Sequence, residues 1–206
     1  MRPAAQGILA ISTFYFSHFH IKIKSPMSHL EVLPRAQAPA AAQPTYDGLH
    51  GKLGFVPNLY ATFAHSPAAL NGSIGFGAAL AKGELDGREI ETIYLAASEA
   101  NSCDYCIAAH TKVGQLQGLS EDETRAVRTA STGNARLDAV AALTLSIVAT
   151  NGHPAPKALD QFFAAGYSKA ALVELIGFVA LNTFNNYVQH IAQVPIDWPA
   201  LQEQEA

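Results

Sequence analysis

Along most of the chain the apolar positions recur every three or four residues, the spacing of a helix with one buried face. Ile90, Ile93, Tyr94 and Ala97 make one such stripe. It follows Asp86, with Glu89 three residues on, the pattern of a capping box. Leu137, Val140, Ala141, Leu143 (or Thr144) and Ile147-Val148 make another behind Asn134. Leu172, Leu175, Ile176, Val179 and Phe184 make a third behind Ser168, and all five are predicted to face inward. Start and stop signals complete the pattern. Gly54, Gly83, Gly118 and Asn151-Gly152 are stops. Pro57, Ser66-Pro67, the Asn101-Ser102 pair and Ser120 with Glu123 are starts. Helices are predicted over 46–53, 58–64, 67–82, 87–100, 103–117, 121–130, 135–150, 157–165 and 169–193. No alternating run is long enough for a useful strand, so the expected fold class is all-α, a helical bundle.

The two ends differ from this middle. Residues 33–45 are rich in Pro, Ala and Gln and read as an extended lead-in. In 1–26 an apolar, aromatic run from Ile8 to Phe16 precedes His18, His20, Lys22 and Lys24. One Arg stands before it and no small-x-small site closes it, so it reads as an over-extended start, with Met27 the true beginning, rather than a secretory signal. The expected domain plan is a poorly ordered N-terminal extension over 1–45 and one helical domain over 46–200.

Composition narrows the function. Of 206 residues, 49% are hydrophobic, enough for a sizeable core, and the formal net charge is −4. No basic stripe is present, which argues against nucleic acid as a partner. No apolar run approaches the roughly 20 residues of a spanning helix, so no membrane role is expected. A Gly-rich phosphate loop behind a strand is also missing, and no nucleotide, other cofactor or metal is expected. The expected location is cytoplasmic.

Two cysteines, Cys103 and Cys106, are all the chain has, and His110 follows four residues after the second. On a helix these three positions share a face. Two thiols so close, beside a base, can exchange electrons with a peroxide or a disulfide. A bridge over so short a loop adds little stability, so the pair reads as chemistry before staple. The thiolate is the reactive form, and a free thiol is mostly protonated near neutrality. A helix N-terminus contributes about 0.3–1 kcal/mol toward the anion, less than one pKa unit, so His110 is the best local group to take the proton. Its other nitrogen needs an orienting acid, and spacing leaves both Glu91 and Glu99 available. A structural zinc site wants four ligands, usually from two segments, and no second Cys pair exists.

Glu91, Cys103, Cys106 and His110, at intervals of twelve, three and four, resemble the alkylhydroperoxidase D-like and carboxymuconolactone decarboxylase superfamily over roughly 50–190. The Asn-x-Cys-x-Tyr-Cys-x-x-x-His wording at 101–110, Asn182, Asn185 and the Asp197-Trp198-Pro199 ending are similar to its peroxidase-related branch. The resemblance implies an all-helical fold assembling as trimers or hexamers. It implies that Cys106 is the peroxidatic thiol, oxidised to sulfenic acid, and that Cys103 resolves it as an intramolecular disulfide. His110 as base and Glu91 would form the proton relay. One departure is Tyr105, where the best-known enzymes carry a histidine between the cysteines. A tyrosine does not serve as the same base near neutral pH, which shortens the relay and leaves the electron donor open, a thiol or a lipoyl-type reductant.

The expected activity is therefore a thiol-dependent peroxidase that reduces hydroperoxides. A decarboxylase or isomerase of the same superfamily, working through Glu91 and His110 alone, is the first alternative. A redox-responsive helical binding protein is the second.

Overall fold

The computed structural model describes residues 30–198. The expectations placed on 1–26, on Met27 and on Pro199 lie outside these residues. Among the described residues the secondary structure is helical throughout: α1 (Gln43–Leu53), α2 (Asn58–Phe63), α3 (Pro67–Leu80), α4 (Gly87–Ala100), α5 (Asp104–Leu116), α6 (Glu121–Ala126), α7 (Ala135–Ala149), α8 (Pro156–Ala164) and α9 (Lys169–Ala192). Two single-turn 3-10 helices, Ala40–Ala42 and Val127–Thr129, precede α1 and follow α6. None of the described helices is long and apolar enough to cross a membrane.

The local signals act as their chemistry dictates. Asp86 and Ser120 each accept the N3 backbone N–H while Glu89 and Glu123 reach back to the cap, so both capping boxes form. Ser66, Asn134 and Ser168 cap α3, α7 and α9. Gly54 closes α1 at φ 81°, a left-handed position without steric cost for glycine. The polar helix after Ser120 is shorter than expected. Its last turn tightens to 3-10 and stops at Ala130, at φ 53°.

The helix α4 is the centre of the bundle, packed against α5, α7 and α9. Its stripe meets Val140, Leu143, Phe162, Leu175 and Phe178 in one core. A second core joins α1, α2 and the start of α3 to the turn that carries Cys103 and Cys106. Each large side chain fully buried there contributes roughly 1.5–3 kcal/mol. Residues 33–45 are not merely a lead-in. Leu33, Ala38 and Ala42 are buried in this second core, and the Tyr46 hydroxyl donates to the Leu33 carbonyl at 2.9 Å.

Two inward positions are corrected. Ile176 and Phe184 are 47% and 42% exposed. On α9 the buried face carries Leu175, Phe178, Val179, Asn182, Asn185 and Asn186. Three asparagines take inward positions, and the apolar residues between them turn outward.

Candidate active site

The corner between α4 and α5 sets the site. Asn101, expected to start α5, instead ends α4, and Ser102 takes the left-handed conformation at φ 56°. The Ser102 N–H donates to Glu99 O at 3.0 Å and the Cys103 N–H to Ser98 O at 2.9 Å, the paired bonds of a Schellman motif. Cys103 is at once the last residue of that motif and the N-cap of α5. Cys106 therefore stands in the first turn of α5, where the helix dipole favours an anion. The two cysteines are joined by a disulfide, with Cα atoms 5.3 Å apart, so this is the oxidised form. Both are buried.

One turn further along α5, His110 meets Glu91 of α4, Nδ1 to Oε2, at 2.8 Å. This resolves the choice of acid that spacing left open. Glu99 instead accepts from Arg128 Nε at 2.6 Å. The Tyr94 ring lies on the imidazole, centroids 4.4 Å apart. With Nδ1 engaged by a carboxylate, Nε2 is the nitrogen left for a reacting proton.

A cavity of about 270 Å³ opens above Cys106. Its wall includes Glu91, His110, Tyr60, Tyr94, Asn185 and Trp198. Cys106 is in this lining and Cys103 is not; the three residues that share a helical face in the sequence are divided by the N-cap into one buried sulfur and two groups facing one space. Burial pushes the Tyr60 hydroxyl up, and the Glu91 charge adds to it. Tyr94 is raised by burial and then by Tyr60 and Glu91. Both phenols are thereby kept neutral in the wall around the imidazole. A more open groove of about 520 Å³ over α7 and α8 has Asp138 as its ionisable lining residue. That carboxylate is held by Thr132 at 2.6 Å and by the Gly133 N–H at 3.1 Å.

Tyr105 has a different task from a base. Its hydroxyl donates to Asp197 Oδ1 at 2.8 Å and accepts from the Leu59 N–H at 3.2 Å. Burial raises it well past the usual phenol value, against the opposing effect of the Leu59 N–H, and the Asp197 carboxylate raises it further. The other Asp197 oxygen accepts from the Asn58 N–H at 2.7 Å. This clamp holds the segment after α9 across the site and places Trp198 in the cavity wall, edge-on to Phe55 at 5.2 Å. Composition and periodicity carry no signal for Tyr60, Trp198 or Lys52 as lining residues, because loops and short helices bring them there.

Comparison with known proteins agrees with this architecture. Residues 67–146, from α3 into α7, match the model of the carboxymuconolactone decarboxylase family. No curated protein sequence matches the chain significantly. An alkylhydroperoxidase AhpD core, an uncharacterised peroxidase-related protein from Ralstonia eutropha JMP134, is 21% identical with a TM-score of 0.75, over 84% of this chain and 93% of that one. A peroxidase-related protein from Silicibacter sp. TM1040 is 18% identical with a TM-score of 0.70, over 84% and 94%. A cysteine-to-alanine variant of the debrominase Bmp8, in complex with 2,3,4-tribromopyrrole, is 20% identical with a TM-score of 0.71, over 82% and 91%. At these identities the structures establish a shared fold. The family match spans the helices that carry the cysteine turn, and the chain is similar there to the carboxymuconolactone decarboxylase family, with the fold of the alkylhydroperoxidase AhpD core.

Proposed function

We propose that the protein is a thiol-dependent peroxidase in which Cys106 is the attacking thiol, Cys103 resolves it, and His110 with Glu91 moves the proton. The observation that carries the reading is the single cavity onto which Cys106 and the hydrogen-bonded His110–Glu91 pair both open. In the reduced protein His110 takes the Cys106 proton. The thiolate sulfur bonds to the terminal oxygen of the hydroperoxide, the O–O bond breaks, and the leaving alkoxide takes the proton from the imidazolium. The products are Cys106 sulfenic acid and an alcohol. The Cys103 thiol then attacks the sulfenic sulfur, releasing water and forming the disulfide. A thiol or lipoyl-type reductant must return two electrons.

The aromatic lining of the cavity and the fold shared with a debrominase favour one second reading. The same dithiol would replace bromine on an aromatic ring by hydrogen, consuming two thiols and yielding the disulfide and hydrogen bromide. Self-association is also part of the proposal. Val173, Ile176, Phe184, Tyr187 and Ile191 lie along the outer face of α9, 42–70% exposed, and an apolar surface of that extent suits a second copy of the chain.

Rapid mixing of reduced protein with cumene hydroperoxide tests the reading. Two thiols should be lost, with a Cys103–Cys106 disulfide identified by mass spectrometry. Cys106→Ser should abolish turnover, and His110→Ala and Glu91→Gln should each slow it by about a hundredfold. Oxidation no faster than that of a free thiol would overturn the assignment. Bromide release from a brominated pyrrole, with peroxide inert, would establish the second reading in its place.

A further inference from the structure

We propose that Asn185, on α9, is a further binding residue of this site, its amide holding the peroxide group of an organic hydroperoxide. The proposal rests on the peroxidase reading.

Three asparagines line the buried face of α9, and two are engaged through one end of the amide, Asn182 Oδ1 and Asn186 Nδ2 having no partner among the described residues. Asn182 Nδ2 donates to Tyr94 O at 3.0 Å and to Ser98 Oγ at 2.9 Å. Asn186 Oδ1 accepts from Asn101 Nδ2 at 2.8 Å, joining α9 to the corner that carries the cysteines. Asn185 is 8% exposed, and its Oδ1 is buried without a hydrogen-bond partner among the described residues. A buried amide left unmet is destabilising, and structures retain few of them. Asn185 itself stands in the wall of the cavity that holds Cys106 and His110.

Its placement is more specific than that. A second cavity, of about 210 Å³, is lined by Ile74, Gly77, Ala78 and Leu181 on its far side. The two cavities share Leu49, Tyr60, Tyr94, His110 and Asn185. A substrate with its polar end at Cys106 can extend its apolar part past Asn185 into the second space. An amide offers two N–H donors and an acceptor, and rotation about its last bond interchanges them. In this pose an N–H donates to the oxygen that leaves. Negative charge gathers there as the O–O bond breaks, before His110 delivers its proton, so the bond strengthens in the transition state and accelerates the step.

The experiment is single-turnover oxidation of the reduced full-length protein by cumene hydroperoxide. Asn185→Leu removes donor and acceptor at similar volume, and Asn185→Ala trims the side chain so that a folded variant is available in either case. Each should lower the second-order rate constant about tenfold, the loss of one hydrogen bond to developing charge. Alkylation of Cys106 by iodoacetamide, followed by mass spectrometry, should keep its wild-type rate and pH profile, because thiol activation resides in His110 and Glu91. Variants that are oxidised at the wild-type rate, or that lose alkylation in the same proportion, would overturn the assignment to Asn185 while leaving the peroxidase reading intact. A wild-type protein inert to peroxide would remove both.

Discussion

At Ser102 the backbone adopts a conformation that costs an L-residue about 1–2 kcal/mol. The corner needs it, since both carbonyls at the end of α4 are satisfied only when this residue is left-handed. Glycine would remove the steric cost while adding about 0.5–1 kcal/mol of backbone entropy. Ser102→Gly is therefore expected to raise the unfolding free energy by about 0.5–1 kcal/mol, read from urea denaturation of the oxidised protein. A loss of stability would mean that the exposed Ser102 side chain contributes something beyond the backbone geometry. Cys103, next in line, shows how much of a site one residue can carry. It ends one helix, begins the next, and holds a sulfur that is fully buried.

The element with most to teach is α9. Its periodicity predicts a helix and a cap correctly, yet the rule that apolar residues face inward misplaces Ile176 and Phe184. Asparagines are ordinarily surface residues, and here the backbone of α4 and the side chains of Ser98 and Asn101 supply partners that a sequence does not display. The displaced apolar residues form an outward stripe at helical spacing, from Val173 to Ile191. If copies of the chain meet there, a charge in the stripe should separate them. Ile191→Glu together with Tyr187→Glu is expected to shift the mass measured by light scattering down to that of the monomer, with the helical content unchanged. A wild-type protein already monomeric would refute this use of α9.

For the whole molecule, the buried and half-buried tyrosines set the behaviour at high pH. Tyr46, Tyr60, Tyr94, Tyr105 and Tyr167 are all raised, with burial the leading cause in each. A phenol whose folded value lies above its unfolded value of about 10 favours the native state through its proton. That contribution is complete below pH 10 and is lost above it, because the unfolded chain deprotonates first, at up to about 1.4 kcal/mol per pH unit for each tyrosine. Melting temperatures should be level from pH 8 to 9.5 and fall steeply between 10 and 11. A flat profile to pH 11 would contradict the burial of these hydroxyls. The helical class, most helix boundaries and the register of Cys106 with His110 were legible because caps, periodicity and short-range spacing are written locally, whereas the choice of Glu91 over Glu99 needed the fold. The clamp from Tyr105 to Asp197, the Arg128 partner of Glu99 and the cavity wall were not, because each depends on segments tens of residues apart meeting in space.

The depth of the disulfide decides what can regenerate it. A reductant coming through the cavity arrives at the sulfur of Cys106, since Cys103 lies behind it. Its thiolate must therefore join Cys106, with Cys103 departing from the helix cap. The cavity, about 270 Å³ and lined in part by Leu53, Tyr60 and Trp198, has room for a slender arm and not for a folded surface. If the protein turns over as proposed, its electron supply is selected by calibre: a low-molecular-weight dithiol, or one carried at the tip of a flexible tether, is expected to serve where a rigid redox domain with its cysteines flush to its surface does not.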